Sequence, residues 1–142
     1  MTRPWLRLSV SLTILLFAAG AAAAAEDDLR TLVLLHVIKR EALFFSGRTG
    51  SWTVVRLDSG ERVVKTGADG AVAVVLTSRR AIGFSALLGQ VDEVPVPEEE
   101  GLEAFRVSGE VASVLTRRRA FGFSAQAGRW AEVQRFQLGA TP

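Results

Sequence analysis

Shifted by 39 positions, this chain lies on top of itself. Val75–Val94 aligns with Val114–Val133 without a gap, and thirteen of the twenty residue pairs are identical. Thr77 falls on Thr116, Arg79–Arg80 on Arg118–Arg119, Gly83–Ala86 on Gly122–Ala125, and Gly89 on Gly128. The same offset applied backwards finds a diverged first copy. Arg40, Ala42, Phe45, Ser46, Gly50 and Val55 fall on Arg79, Ala81, Phe84, Ser85, Gly89 and Val94, while Trp52 aligns with Val91 and Trp130. A chain with this period repeats one supersecondary unit that cannot bury its apolar face alone. Any fold it adopts must solve the same burial problem three times.

The repeat starts only after a stretch of different character. Arg3 and Arg7 are followed by the apolar run Leu8–Ala19, then Gly20 and five alanines, Ala21–Ala25. A positive start, a short apolar core and small residues at the end form the pattern of a secretory signal peptide over 1–25. Cleavage after Ala25 is expected, and retention as a membrane anchor is the alternative. The predicted product is exported, periplasmic or extracellular, and meets the membrane only through this leader. Residues 26–142 then divide into three units, approximately 26–64, 65–103 and 104–142, with no room left for a separate catalytic domain. The remaining fifteen basic and fifteen acidic residues balance, because Arg3 and Arg7 carry the excess charge. A neutral product gives no electrostatic footprint for nucleic acid.

Within each unit the hydrophobic period is that of strands. In the middle copy, Ala71–Thr77 is apolar on both faces and predicts a strand buried on both sides. Ser78–Arg79 turns into a second strand, Arg80–Ser85. A turn ending at Gly89, where positive φ is needed, leads to a third strand, Val91–Val96. An acidic loop, Pro97–Gly101, precedes a fourth strand, Leu102–Val107, and Ser108–Gly109 turns into the next unit. Gly83 and Gly122 sit inside strands, where glycine costs about 0.5–1 kcal/mol. Their repetition predicts close approach of a neighbouring backbone or a large side chain. Phe44 holds that position in the first copy, so that unit must pack differently.

Four strands in about 40 residues, with the pattern from Val63 to Gly89 and tryptophans at Trp52 and Trp130, resemble blades of the kelch, tryptophan-aspartate and quinoprotein β-propellers. The likeness covers residues 26–142 and concerns architecture. It lacks a Trp-Asp dipeptide, a Gly-Gly doublet and a cofactor motif, so it implies no ligand, cofactor or catalytic residue. The expected fold class is all-β, with three four-stranded antiparallel, blade-like repeats. Three blades do not close a ring that typically has four to eight. A head-to-tail homodimer would complete a six-bladed ring. A β-trefoil, which closes with three four-stranded units, is the alternative, and a fragment of a longer propeller is another.

Candidate sites are few. Lys39–Arg40, Arg79–Arg80 and Arg117–Arg119 recur at one place in each unit and could bind an anion or acidic polymer. The acidic loop Glu98–Glu100, with Asp58 and Glu61, falls on the same rim, so internal charge pairing competes with that use. Arg79, Arg80, Arg118 and Arg119 are therefore candidate ligand-binding residues, as are Trp52 and Trp130, which could stack on a sugar or simply fill the core. His36 has no second histidine, cysteine or acidic cluster beside it, which argues against a metal or catalytic role. Ser46, Ser85 and Ser124 repeat within strands and read as structural. No G-x-S-x-G or phosphate-binding loop is present. The expected function is non-enzymatic, without cofactor: a module for binding a protein or saccharide and for assembly. A carbohydrate-binding trefoil, or an enzyme formed only at the centre of a ring, is the competing expectation.

Overall fold

A computed structural model describes residues 31–135. The segment 1–25, read as a signal peptide, lies outside the described residues. The described chain is all-β and forms three antiparallel sheets. The first contains β1 (Val33–Ile38), β2 (Glu41–Ser46) and β3 (Ser51–Arg56). The second contains β4 (Val63–Asp69), β5 (Val72–Thr77), β6 (Arg80–Ser85) and β7 (Gln90–Pro95). The third contains β8 (Leu102–Ser108), β9 (Val111–Thr116), β10 (Arg119–Ser124) and β11 (Arg129–Gln134). Each is an up-and-down meander with neighbours in chain order.

The local chemistry explains the meander. Gly50, Gly89 and Gly128 close the turns that enter β3, β7 and β11, with φ between 65° and 67°. An L-residue resists that region, and glycine enters it freely. Ser46, Ser85 and Ser124 sit at the ends of the preceding strands, where their hydroxyls accept a hydrogen bond from the backbone N–H three residues on. Strand and turn signals thus coincide in every copy.

Sequence and structure disagree on how the strands are grouped. Leu102–Val107 was expected to close the middle unit. It lies instead within β8, which pairs with β9 and opens the third sheet. The connections account for this. Only two residues, Gly109 and Glu110, separate β8 from β9, and so tight a turn joins hydrogen-bonded neighbours. The longer connection between β7 and β8, with its 3-10 turn at Glu98–Glu100, is where the chain changes sheet.

The sheets stack face to face, in chain order. On the second sheet, Gly67, Val74, Gly83 and Asp92 form one row across the strands and face the third sheet. A Cβ added to Gly83 would lie 2.5 Å from the Phe123 ring, and one on Gly67 would lie 2.7 Å from Val107. Gly83 therefore does receive a large side chain, as expected, whereas the same expectation fails at Gly122, where a Cβ would meet nothing within 4 Å. Burial of that ring accounts for about 1.5–3 kcal/mol, more than the glycine costs. At the first junction Phe44 replaces the glycine, and its ring stacks on Phe84 at 5.1 Å.

Burial follows the stacking order. β5 is buried along its whole length because sheets cover both its faces. β9 has much the same apolar sequence, yet its residues alternate between covered and accessible. Only one of its faces meets another sheet among the described residues. The two-sided burial expected of this strand in the middle copy is therefore not repeated at Val111–Leu115, for want of a following sheet among the described residues.

Candidate functional site

The repeated arginines come first. Thr77 and Arg80, at the ends of β5 and β6, converge on Glu61 in the connection before β4. Arg80 Nε donates to the Glu61 carboxylate at 2.8 Å and Thr77 Oγ1 donates to it at 2.7 Å. The N–H of Asp58 donates to its other oxygen at 2.7 Å. The same arginine bonds Glu93 on β7, and its Nη2 donates to the backbone carbonyl of Arg56 on the first sheet at 2.9 Å. One guanidinium thus ties together a loop, its own sheet and the sheet before it.

Thirty-nine residues on, the cluster recurs. Arg119 bonds Glu100 and Glu132, and Thr116 Oγ1 donates to Glu100 at 2.9 Å. Arg119 also lies over the Phe121 ring, 4.7 Å from its centroid.

The electrostatics fit a structural clamp. Burial alone pushes the Glu61 carboxyl up. Hydrogen bonds from Arg80, Thr77 and the Asp58 N–H, with the charge of Arg80, outweigh it and hold the pKa at about 2 against an ordinary 4.5. The hydrogen bond from Arg119 likewise holds Glu100 below its ordinary value. Arg80 and Arg119 are pushed up in turn, chiefly by their bonds to Glu61 and Glu100.

Of the four candidate arginines, Arg80 and Arg119 are therefore committed to buried or half-buried carboxylates and offer little to a ligand. Arg79 lies 3.8 Å from Asp58 and donates to the Ser59 carbonyl, with half of its side chain accessible. Arg118 is exposed. The basic positions share a rim with the acids, as the spacing indicated, and most of that rim is paired.

The two tryptophans part company. Trp130 packs beside Phe123 at 5.3 Å; its indole N–H donates to the Asp92 carbonyl, and its backbone N–H donates to the Asp92 carboxylate. That is core packing with the polar handle satisfied. Trp52 makes the same pairing with Phe45, at 5.0 Å, but on the outer face of the first sheet, where half of its surface is exposed. His36 lies on that face too, 6.2 Å from Trp52.

That outer face is the unexpected feature. Leu34, Ile38, Trp52 and Val54 all point outward from the first sheet, and each is more than half exposed. Val111 and Val133 are equally exposed on the outer face of the third sheet. Large apolar residues this accessible occur only on these two end faces among the described residues. A contiguous apolar face on a soluble protein signals an interaction surface. The sequence alone does not say that Trp52 is the exposed tryptophan, because Trp52 and Trp130 look alike in the repeat.

Among the described residues, no three His, Cys, Asp or Glu side chains converge as a metal site requires. A shallow depression of about 540 Å³ lies at one end of the first sheet, lined by Ile38, Lys39, Arg40, Glu41, Arg56 and Leu57. It offers no nucleophile paired with a base. No protein-family model matches the chain, and no curated protein is significantly similar to it.

Proposed function

We propose that the chain is an exported, non-enzymatic β-repeat module of blade type, which acts by assembling with further copies of itself and presenting its loops to a protein or saccharide. The observation that carries this reading is the pair of end faces that no other sheet covers among the described residues, above all the apolar face around Trp52. Removing apolar surface from water yields roughly 25 cal/mol per Å², so such a face favours association. Separate stacked sheets support blades over a trefoil, whose strands would join in a barrel. A dimer of two three-sheet stacks in a six-bladed ring falls within the usual size of propellers. The paired rim arginines favour a role in stabilising the stack over anion capture. Light scattering of the protein purified from its export compartment tests the reading, with a mass of two chains expected. A chain that stays monomeric at all concentrations would overturn it.

One observation favours a second reading. Trp52, Phe45 and His36 form an accessible aromatic group suited to stacking on a sugar ring. In a glycan array, binding that disappears with Trp52→Ala would establish that use. Binding lost with Trp130→Ala but kept with Trp52→Ala would contradict it.

A further inference from the structure

The two end faces correspond, residue by residue, to the two halves of a junction already made inside the molecule. The Phe123–Trp130 pair of the third sheet rests on the second sheet at Gly83 and Asp92. By the 39-residue register, Phe123 and Trp130 correspond to Phe45 and Trp52 on the free face of the first sheet. Gly83 corresponds to Gly122 on the free face of the third, where a Cβ would meet nothing within 4 Å. One free face thus carries the ring pair and the other carries the space for it. Resting on the assembly reading above, we infer that copies join head to tail, the outer face of the first sheet of one seating on the outer face of the third sheet of the next.

Volume supports this pairing. The first internal junction sets Phe44 on one sheet against a partner with Val91 at the tryptophan position, while the second sets Gly83 against a partner with Trp130. A large residue faces a small one in both cases. The free faces offer Gly122 and Trp52, which repeats the second combination. Close packing rewards this, because two large residues would strain the seam and two small ones would leave a void.

Hydrogen bonding points the same way. Ser46 Oγ donates to the Ala86 carbonyl across the first junction and Ser85 Oγ to the Ala125 carbonyl across the second, both at 2.6 Å. Ser124 is the next in the series, and its counterpart acceptor is the Gly47 carbonyl of the next copy.

Charge is reversed on both sides of the seam together. Arg80 and Arg119 cross to the preceding sheet beside Leu57 and Val96, which lie just beyond β3 and β7. Their counterpart on the first sheet is Glu41, and the counterpart of Leu57 and Val96 is Arg135. Glu41, 3.5 Å from Arg56 in its own sheet, and Arg135, bonded to Glu103 in its own, would face each other across the seam. Because the contact joins unlike faces, it either closes a ring or propagates.

The test is complementation between two variants of the full-length protein. Gly122→Trp fills the receiving face, and Trp52→Glu spoils the entering face. Each variant alone should be monomeric by light scattering, with far-ultraviolet circular dichroism unchanged. Mixed in equal amounts they retain one intact pair of faces, and a two-chain species should return. Assembly that persists in Gly122→Trp would overturn the head-to-tail contact while leaving the assembly reading intact. A mixture that stays monomeric would overturn it too, and a wild-type monomer would overturn both. If either variant fails to fold, charge exchange decides: Glu41→Arg and Arg135→Glu should each weaken association about tenfold, and the double variant should recover it. No recovery in the double variant would overturn the proposal.

Discussion

Two glycines with the same neighbours in sequence do opposite work. Gly83 lies beneath the Phe123 ring, whereas Gly122 faces open space. Gly83→Ala should destabilise the fold by about 1–3 kcal/mol, because the new methyl group must displace an aromatic ring in a packed seam. Gly122→Ala should be neutral or stabilising, by up to about 1 kcal/mol, because it only restricts the unfolded chain. Urea denaturation of both variants, at concentrations low enough to keep chains apart, checks the contrast. The serines divide similarly. Ser85→Ala removes a cross-sheet hydrogen bond and leaves the Ala125 carbonyl without that donor, a loss of about 1–2 kcal/mol. Ser124→Ala should cost far less in the dispersed chain. Equal losses at Ser85 and Ser124 would show that the cross-sheet bond has no net worth.

At the scale of elements, the acid–threonine–arginine cluster fixes how each loop meets its sheet. The Glu61 side chain is inaccessible to solvent and that of Arg80 is 19% exposed. Removing one member strands the other, which costs about 3–5 kcal/mol for a well-buried pair. Glu61→Ala should fall near the lower figure, because Arg80 keeps Glu93. The pH dependence has a definite sign. The folded pKa of Glu61 is about 2, below the ordinary 4.5. Its contribution is therefore complete above about pH 4.5 and is lost as the pH falls towards 2. Thermal unfolding between pH 5 and 2.5 should show this loss, and Glu61→Gln should flatten the slope. An unchanged slope would mean that other carboxylates dominate acid unfolding. The sequence places Glu61 on the arginine rim but does not say which arginine it pairs with, because it sits in a connection rather than at a repeated strand position. Its role is legible only through the second copy at Glu100, with Thr116 and Arg119 at matching distances.

For the molecule as a whole, the stack of three sheets is unequal at its ends. The middle sheet is covered twice, and the outer two once each among the described residues. Stability should therefore depend on concentration. If copies cover the end faces, binding stabilises the folded state by mass action, and Tm rises as protein concentration increases. A Tm independent of concentration over a hundredfold range would count against assembly. The same stacking explains why the first copy has diverged most. Its outer face carries Leu34, His36 and Ile38 where the third copy has Ala112, Val114 and Thr116 against the second sheet. Leu34 and Ile38 are larger and more apolar than Ala112 and Thr116, while His36 is more polar than Val114.

The amino-acid sequence by itself determined the period, the strand character and the turns, because alternation, glycine conformation and serine capping are decided within a few residues. It also placed acids and arginines on one rim, since an up-and-down meander brings alternate turns to the same end. Only the tertiary structure decided which strand opens each sheet, which arginines are tied down and which tryptophan is covered. The physical reason is that a repeat writes the same residues into every unit, while burial depends on what lies against them. Phe123 and Phe45, Ser85 and Ser124, Gly83 and Gly122 are pairs alike in type and local setting, and they differ only in the presence or absence of a neighbouring sheet.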